Sequence, residues 1–97
     1  MQKCNTLEEV RSEVDLVDEK LVELIALRNS YIKQLSQFKT TAEEVKSPER
    51  IADVIARVRT KAIELDLSPN LINDMFIRMI DEMVETEISE FNNTKVF

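Results

Sequence analysis

Residues 6–39 read TLEEVRSEVDLVDEKLVELIALRNSYIKQLSQFK and carry the longest regular apolar pattern of the chain. Counted in sevens from Leu7, the first and fourth positions are Leu7, Val10, Val14, Val17, Leu21, Leu24, Arg28, Tyr31, Leu35 and Phe38. All but one are apolar or aromatic, and no Pro or Gly interrupts the run. The pattern predicts one continuous helix over about residues 6–40, with a coiled-coil-like seam. Thr6 followed by Glu9 is typical of a helix start, because each side chain can satisfy a free backbone N–H.

Arg28 is the exception in this seam. An unpaired charge buried among apolar side chains costs several kcal/mol, so we expect an anionic partner for it. An acid across a helix pair would be the ordinary partner. A bound anionic ligand is the alternative.

Composition favours an all-helical protein. The chain has 97 residues, no Gly, two Pro and 33% charged residues, which leaves little material for hairpin turns. A helix of about 34 residues is roughly 50 Å long, more than a compact domain of this size accommodates. We therefore expect one domain, residues 1–97, that pairs with a partner chain.

Charge and residue usage exclude several classes of function. The net charge of −6 and the absence of a basic run argue against nucleic acid as a partner. The chain has no His and a single cysteine, Cys4, so a metal site and a disulfide framework are not expected. No signal peptide or long apolar run appears. We expect a cytoplasmic protein with no cofactor and no membrane association.

Two further helices follow the long one. Residues 40–46 are polar and without periodicity, which predicts a loop. Ser47-Pro48 and Ser68-Pro69 are both typical helix starts, with Ser as the N-cap and Pro at the first helical position. The second helix is predicted over about residues 48–66 and the third over about residues 69–91. The predicted fold is all-α, with three helices that are long, medium and long.

Several polar residues interrupt the apolar faces. Arg28 and Lys39 are eleven residues apart, which on one helix places them on the same side about 16 Å apart. Their side chains could then hold a small anion between them. Arg11 precedes Arg28 by seventeen residues, about 25 Å along a straight helix, so one small ligand cannot touch both from one chain. Antiparallel pairing of two long helices would bring Arg11 of one chain to the site of the other.

Arg50 and Glu87 are the other candidates. Arg50 lies in the first turn of the second helix beside Ile51, so it could face either the core or a cleft. Glu87 interrupts the apolar stripe of the third helix, where a carboxyl group is either paired or protonated. Taken singly, Arg11, Lys39, Arg50 and Glu87 are all explained by ordinary surface or paired positions. Arg28 is the one residue for which a functional interpretation is favoured on its own.

Together these residues resemble the all-helical chorismate mutase family. The matching positions are Arg11, Asp18, Arg28, Lys39, the run Pro48-Glu49-Arg50, and Glu87. No single motif is specific, but the set at these spacings is, and it extends from about Leu7 to Phe91. Within the family, residues 28–32, Phe38-Lys39 and residues 47–51 most resemble the isochorismate-pyruvate lyases of salicylate and siderophore synthesis.

The resemblance implies an intertwined homodimer with two equivalent sites, each lined by both chains. It implies that Arg28 and the partner's Arg11 hold the two carboxylates of the substrate. Lys39 would donate to the breaking ether oxygen, and Arg50 would add a further contact to the anion. Glu87 occupies the place of a Gln or Glu that hydrogen-bonds the ether oxygen. Such pericyclic reactions need no nucleophile, metal or obligatory base, which agrees with the absence of His.

Two positions depart from the typical mutases of the family. Ile51 stands where they have a Glu that receives the hydroxyl group of the substrate ring, and Ser47 replaces an Asp. Chorismate carries its hydroxyl group at C4 and isochorismate carries it at C2. The loss of this acceptor therefore weakens the case for a chorismate mutase more than the case for a lyase. We therefore expect an isochorismate-pyruvate lyase. The alternatives are a chorismate mutase that makes prephenate for aromatic amino acid synthesis, and a non-catalytic helical dimerisation module.

Overall fold

The computed structural model describes residue 1 and residues 3–95, and these form helices and connecting turns without a strand. In chain order the elements are α1 (Leu7–Leu35), a 3-10 helix (Ser36–Phe38), α2 (Ala42–Val45), α3 (Pro48–Glu64) and α4 (Pro69–Lys95). The all-α class and the three main helices of the sequence prediction are confirmed. In the described part of the chain, no helix combines the length and apolarity that a membrane crossing requires.

The chain divides into two compact units, Met1–Tyr31 and Ile32–Phe97. The first unit holds most of α1, which begins as predicted: the Thr6 hydroxyl accepts from the backbone N–H of Glu9 at 3.1 Å. The Glu9 carboxylate in turn accepts from the backbone N–H of Asn5 at 2.8 Å. No residue of α1 is buried within one chain, and the apolar stripe of the seam is exposed. The single domain over residues 1–97 stays a prediction.

In the second unit the 3-10 helix, α2 and α3 all pack against α4. The buried apolar residues are Val45 of α2, Ala62 of α3, and Ile80 and Met83 of α4. The hydrophobic effect drives this packing, since each of these side chains leaves water almost completely. Helix α4 is therefore the support on which the preceding segments are arranged.

The prediction that the first helix continues to about residue 40 was wrong. Helix α1 ends at Leu35, and the next three residues tighten into the 3-10 helix. Ser36 is fully buried, and its hydroxyl donates to the carbonyl of Lys33 at 2.6 Å, a local bond that competes with the regular helical pattern. Lys39 then adopts an extended backbone with φ −95° and ψ 143°. The helical spacing expected between Arg28 and Lys39 therefore does not apply.

The segment predicted as a loop also contains a helical turn, α2. Thr41 caps it, because its hydroxyl accepts from the backbone N–H of Glu44 at 3.3 Å. One turn later Val45 is buried, and α2 contacts α4. The loop prediction was wrong for Ala42–Val45 because burial of one apolar side chain stabilises a turn that has no periodicity of its own.

Helices α3 and α4 begin where the sequence predicts. Ser47 accepts from the backbone N–H of Arg50 at 3.3 Å, and Ser68 accepts from that of Leu71 at 3.2 Å. Helix α3 ends two residues before the predicted limit, at Glu64. The following turn is left-handed at Asp66, with φ 57°. Helix α4 continues to Lys95 instead of ending near residue 91.

Candidate active site

Lys39 and Glu87 come together where the 3-10 helix packs on α4. The Nζ of Lys39 lies 3.9 Å from Oε2 of Glu87. Glu87 follows Met83 by one helical turn on the buried face of α4, and its side chain is only 6% exposed. Lys39 retains 24% exposure. The pair thus places a partly exposed cation next to a buried acid.

Burial raises the pKa of Glu87, and the positive charge of Lys39 opposes this rise less strongly. Burial outweighs the charge of Lys39 because the 3.9 Å between Nζ and Oε2 is too long for a hydrogen bond that would stabilise the carboxylate. The Oε2 atom is buried and has no hydrogen-bond partner among the described residues. This favours the protonated carboxyl group, which can donate a hydrogen bond.

The ammonium group of Lys39 has a second neighbour in the segment that follows it. Its Nζ donates to the backbone carbonyl of Glu44 at 3.1 Å. The Glu44 carboxylate accepts from both the backbone N–H and the hydroxyl of Thr40. These bonds, helped by the charge of Lys39, lower the pKa of Glu44, so this acid is ionised at neutral pH.

An open pocket of about 690 Å³ lies beside Lys39. Its walls come from the segment after the 3-10 helix and from the start of α3. The lining residues are Lys39, Glu43, Glu44, Ser47, Pro48, Glu49 and Arg50. Lys39 and Arg50, both expected site residues, therefore face one pocket. Their two cations suit an anionic ligand, although three carboxylates also line the walls.

Arg11 and Arg28 belong to the first unit. On α1, Arg11 is exposed and Arg28 is half-buried. Seventeen helical residues separate them by about 25 Å, so a small ligand cannot bind both arginines of one chain. Their roles at the site stay predictions.

Thr40 and Glu44 were not recognised from the sequence as neighbours of the site. The signal was present in part, because Thr41 followed three residues later by Glu44 is a helix-start pattern. That pattern does not predict that the Glu44 side chain returns to Thr40.

The arrangement in the second unit combines two cations with an acid that tends to be neutral. Lys39 and Arg50 can bind carboxylates, and protonated Glu87 can donate to an oxygen that gains negative charge during a reaction. Among the described residues, no cluster of His, Cys, Asp or Glu could hold a metal ion. The geometry supports electrostatic stabilisation and positioning as its means of catalysis.

Comparison with known proteins gives three findings. A family model described as chorismate mutase type II matches residues 10–88. An isochorismate pyruvate lyase of Pseudomonas aeruginosa is 24% identical over 94 residues, which cover 97% of this chain and 93% of that protein. A T-protein of Enterobacter agglomerans is 30% identical over 79 residues, which cover 80% of this chain but only 21% of that protein.

Proposed function

The chain belongs to the type II chorismate mutase family, and we propose that it is an isochorismate-pyruvate lyase. Membership makes it a pericyclic enzyme of the lyase or isomerase type. The proposed substrate is the isochorismate dianion, and the products are salicylate and pyruvate. The proposed location is the cytoplasm.

The reaction balances without a co-reactant. The ether bond between ring carbon C3 and the enolpyruvyl oxygen breaks, and the hydrogen on C2 moves to the enolpyruvyl methylene carbon. That carbon becomes the methyl group of pyruvate, and the ring becomes aromatic as salicylate. Negative charge develops on the ether oxygen as its bond to C3 lengthens. The enzyme must hold the side chain over the ring and stabilise that charge.

Three residues of the second unit suit these tasks. Lys39 donates to the ether oxygen and attracts a carboxylate, and Arg50, which lines the same pocket, binds a carboxylate. Burial raises the pKa of Glu87 and so favours its protonated form, which would donate a second hydrogen bond to the ether oxygen. A dianion bound nearby would raise the pKa of Glu87 further, since like charges disfavour the ionised acid.

The observation that carries the preference for the lyase is Ile51. It directly follows Arg50 on α3 and is half-buried, in the place where typical mutases of the family have a Glu for the substrate hydroxyl group. An apolar side chain leaves the C4 hydroxyl of chorismate without its acceptor, which costs binding energy when that group is desolvated. Isochorismate has no hydroxyl group at C4. The end-to-end similarity to an isochorismate pyruvate lyase supports the same preference.

We further propose that the enzyme is a homodimer in which α1 of one chain completes the site of the other. The stripe residues Leu7, Val10, Val14, Val17, Leu21 and Leu24 are all exposed in one chain. A continuous apolar stripe of this length marks an association surface. An antiparallel partner would supply the partner's Arg11 to hold one substrate carboxylate, with Arg28 holding the other.

The second candidate function is chorismate mutase, which the description of the matching family model favours. Separate incubations with isochorismate and with chorismate distinguish the two. Salicylate fluorescence reports the lyase reaction, and loss of chorismate absorbance with prephenate formation reports the mutase reaction. An intact dimer that is inactive with both substrates would support a non-catalytic dimerisation module instead.

A further inference from the structure

We propose that Glu44 is a positioning residue that holds Lys39 in place for the reaction. This inference rests on the proposed function, because it assumes that Lys39 acts on the substrate. Glu44 contacts both the ammonium group of Lys39 and the residue that follows Lys39 in the chain. It was not among the residues expected at the site from the sequence.

Three hydrogen bonds define the arrangement, which we call the Glu44 clasp. The backbone carbonyl of Glu44 accepts from Nζ of Lys39 at 3.1 Å. Its Oε2 accepts from the backbone N–H of Thr40 at 2.9 Å, and its Oε1 accepts from the Thr40 hydroxyl at 2.7 Å. The bond to the Glu44 carbonyl holds the ammonium group of Lys39, and the two bonds from Thr40 hold the backbone next to Lys39.

The clasp is itself anchored to the core. Val45, the next residue, is 5% exposed and belongs to α2, which contacts α4. On the other side, the Thr41 hydroxyl accepts from the backbone N–H of Glu44 and caps α2. Burial of Val45 and the cap from Thr41 thus set the position of Glu44. The hydrogen bonds of Glu44 in turn restrict the position of Lys39.

Lys39 needs such support because of where it lies. It is the first extended residue after the 3-10 helix, and its flexible stem carries a compact charge with no fixed direction of its own. A displacement of about 1 Å at a catalytic group can cost about a hundredfold in rate. Hydrogen bonds that hold the ammonium group in place before the substrate binds reduce this loss of rate.

The clasp also explains how a carboxylate is tolerated in a pocket for a dianion. Both of its oxygens accept hydrogen bonds from Thr40, so its charge is partly compensated within the segment. These hydrogen bonds lower the pKa of Glu44 and so favour its ionised form.

Two variants test the clasp against simple charge repulsion. Glu44→Ala and Glu44→Gln both remove the negative charge, but Gln keeps a carbonyl oxygen that can accept one Thr40 bond. We expect Glu44→Ala to lower kcat on isochorismate about tenfold, with Glu44→Gln staying within about threefold of the parent. Glu64→Ala is the control, since it removes an exposed acid at the end of α3 and should leave kcat unchanged. Equal rates for the Ala and Gln variants would overturn the proposal.

A double-mutant cycle keeps the test independent of overall stability. Thr40→Val removes the hydroxyl that donates to Glu44, and we expect it to lower kcat about threefold in the parent. In the Glu44→Ala background the same change should have no effect, because its partner is already absent. Additive losses would contradict the clasp. Thermal unfolding of each variant verifies that kcat is measured on folded protein.

A measurement without turnover separates this inference from the proposed function. In the parent, the NMR signal of the Thr40 amide should shift with pH at the titration of Glu44, below the ordinary range for a Glu. Glu64→Ala should retain that shift and Glu44→Gln should lose it. If the parent is inactive on both substrates, the proposed function fails, and with it the catalytic role of the clasp. If the parent is active but the Thr40 amide does not follow Glu44, the clasp alone fails.

Discussion

The Nζ of Lys39 lies 3.9 Å from Oε2 of Glu87, close enough for charge attraction and too far for a hydrogen bond. Burial therefore dominates, and the pKa of Glu87 is raised despite the cation beside it. A substrate oxygen that approached both groups would meet a cation and an acid whose raised pKa favours the neutral, hydrogen-bond-donating form. This pairing suits a reaction in which negative charge develops on one ether oxygen.

The first prediction concerns the pH dependence of catalysis. Protonated Glu87 donates a hydrogen bond, so kcat should fall as pH rises past its titration in the substrate complex. Glu87→Gln should remain active and flatten this decline, because an amide donates at any pH. The measurement is kcat against pH for the parent and the variant. Glu85→Gln, at an exposed acid on the same helix, is the control and should keep the profile of the parent.

If Glu87→Gln shows the same alkaline decline as the parent, Glu87 is not the titrating donor.

The second prediction concerns stability. A raised pKa means that the folded state holds the Glu87 proton more tightly than the unfolded state. The free energy of unfolding therefore decreases as pH rises from the ordinary Glu range through the raised pKa, and is constant above it. The free energy of unfolding of Glu87→Gln should exceed that of the parent by about 1 kcal/mol at about pH 8. At about pH 4 the two proteins should be equally stable. Urea unfolding at the two pH values measures the difference. A difference that does not change with pH would show that folding leaves the pKa of Glu87 unchanged.

The third prediction concerns substrate preference. Ile51→Glu restores an acceptor beside Arg50, so it should raise mutase activity relative to lyase activity about tenfold. The measurement is kcat/KM on chorismate and on isochorismate. Ile63→Glu, at an exposed position on the same helix, is the matched control and should leave the ratio unchanged. An unchanged ratio in Ile51→Glu would remove the main argument for the lyase.

The fourth prediction concerns the shared site. Arg11→Ala and Arg28→Ala should each be nearly inactive as homodimers. After random mixing of the two variants, half of the dimers are mixed and each has one intact site, so about a quarter of the parent activity should return. Mass spectrometry of the native complexes confirms that mixed dimers form. Mixed dimers without recovered activity would contradict a site built from two chains.

The helix starts could be predicted from the sequence because their signals are local. Ser47 and Ser68 each cap the helix that begins at the following Pro, and neither bond depends on distant residues. The end of α1 could not be predicted in this way. Leu35 and Phe38 continue the apolar spacing, but burial of Ser36 against α4 replaces the last turn with a 3-10 helix.

For the candidate site, the functional roles of the residues stay predictions, but part of their placement can be compared. The resemblance pointed to Lys39, Arg50 and Glu87, and the structure brings Lys39 close to Glu87 and into one pocket with Arg50. Glu44 was missed because its hydrogen bonds to Thr40 depend on how the chain folds back next to Val45, which is buried. Such a contact depends on tertiary packing and leaves no periodic pattern in the sequence.

The proposed reaction of this chain is the pericyclic cleavage of isochorismate. The most direct test uses isochorismate carrying deuterium at C2 and mass spectrometry of the pyruvate formed. Transfer within one transition state predicts pyruvate with one deuterium in its methyl group, formed together with salicylate. Pyruvate without deuterium would show that the hydrogen is lost to water and would contradict the pericyclic mechanism. Absence of both products, with prephenate formed from chorismate, would contradict the lyase activity itself.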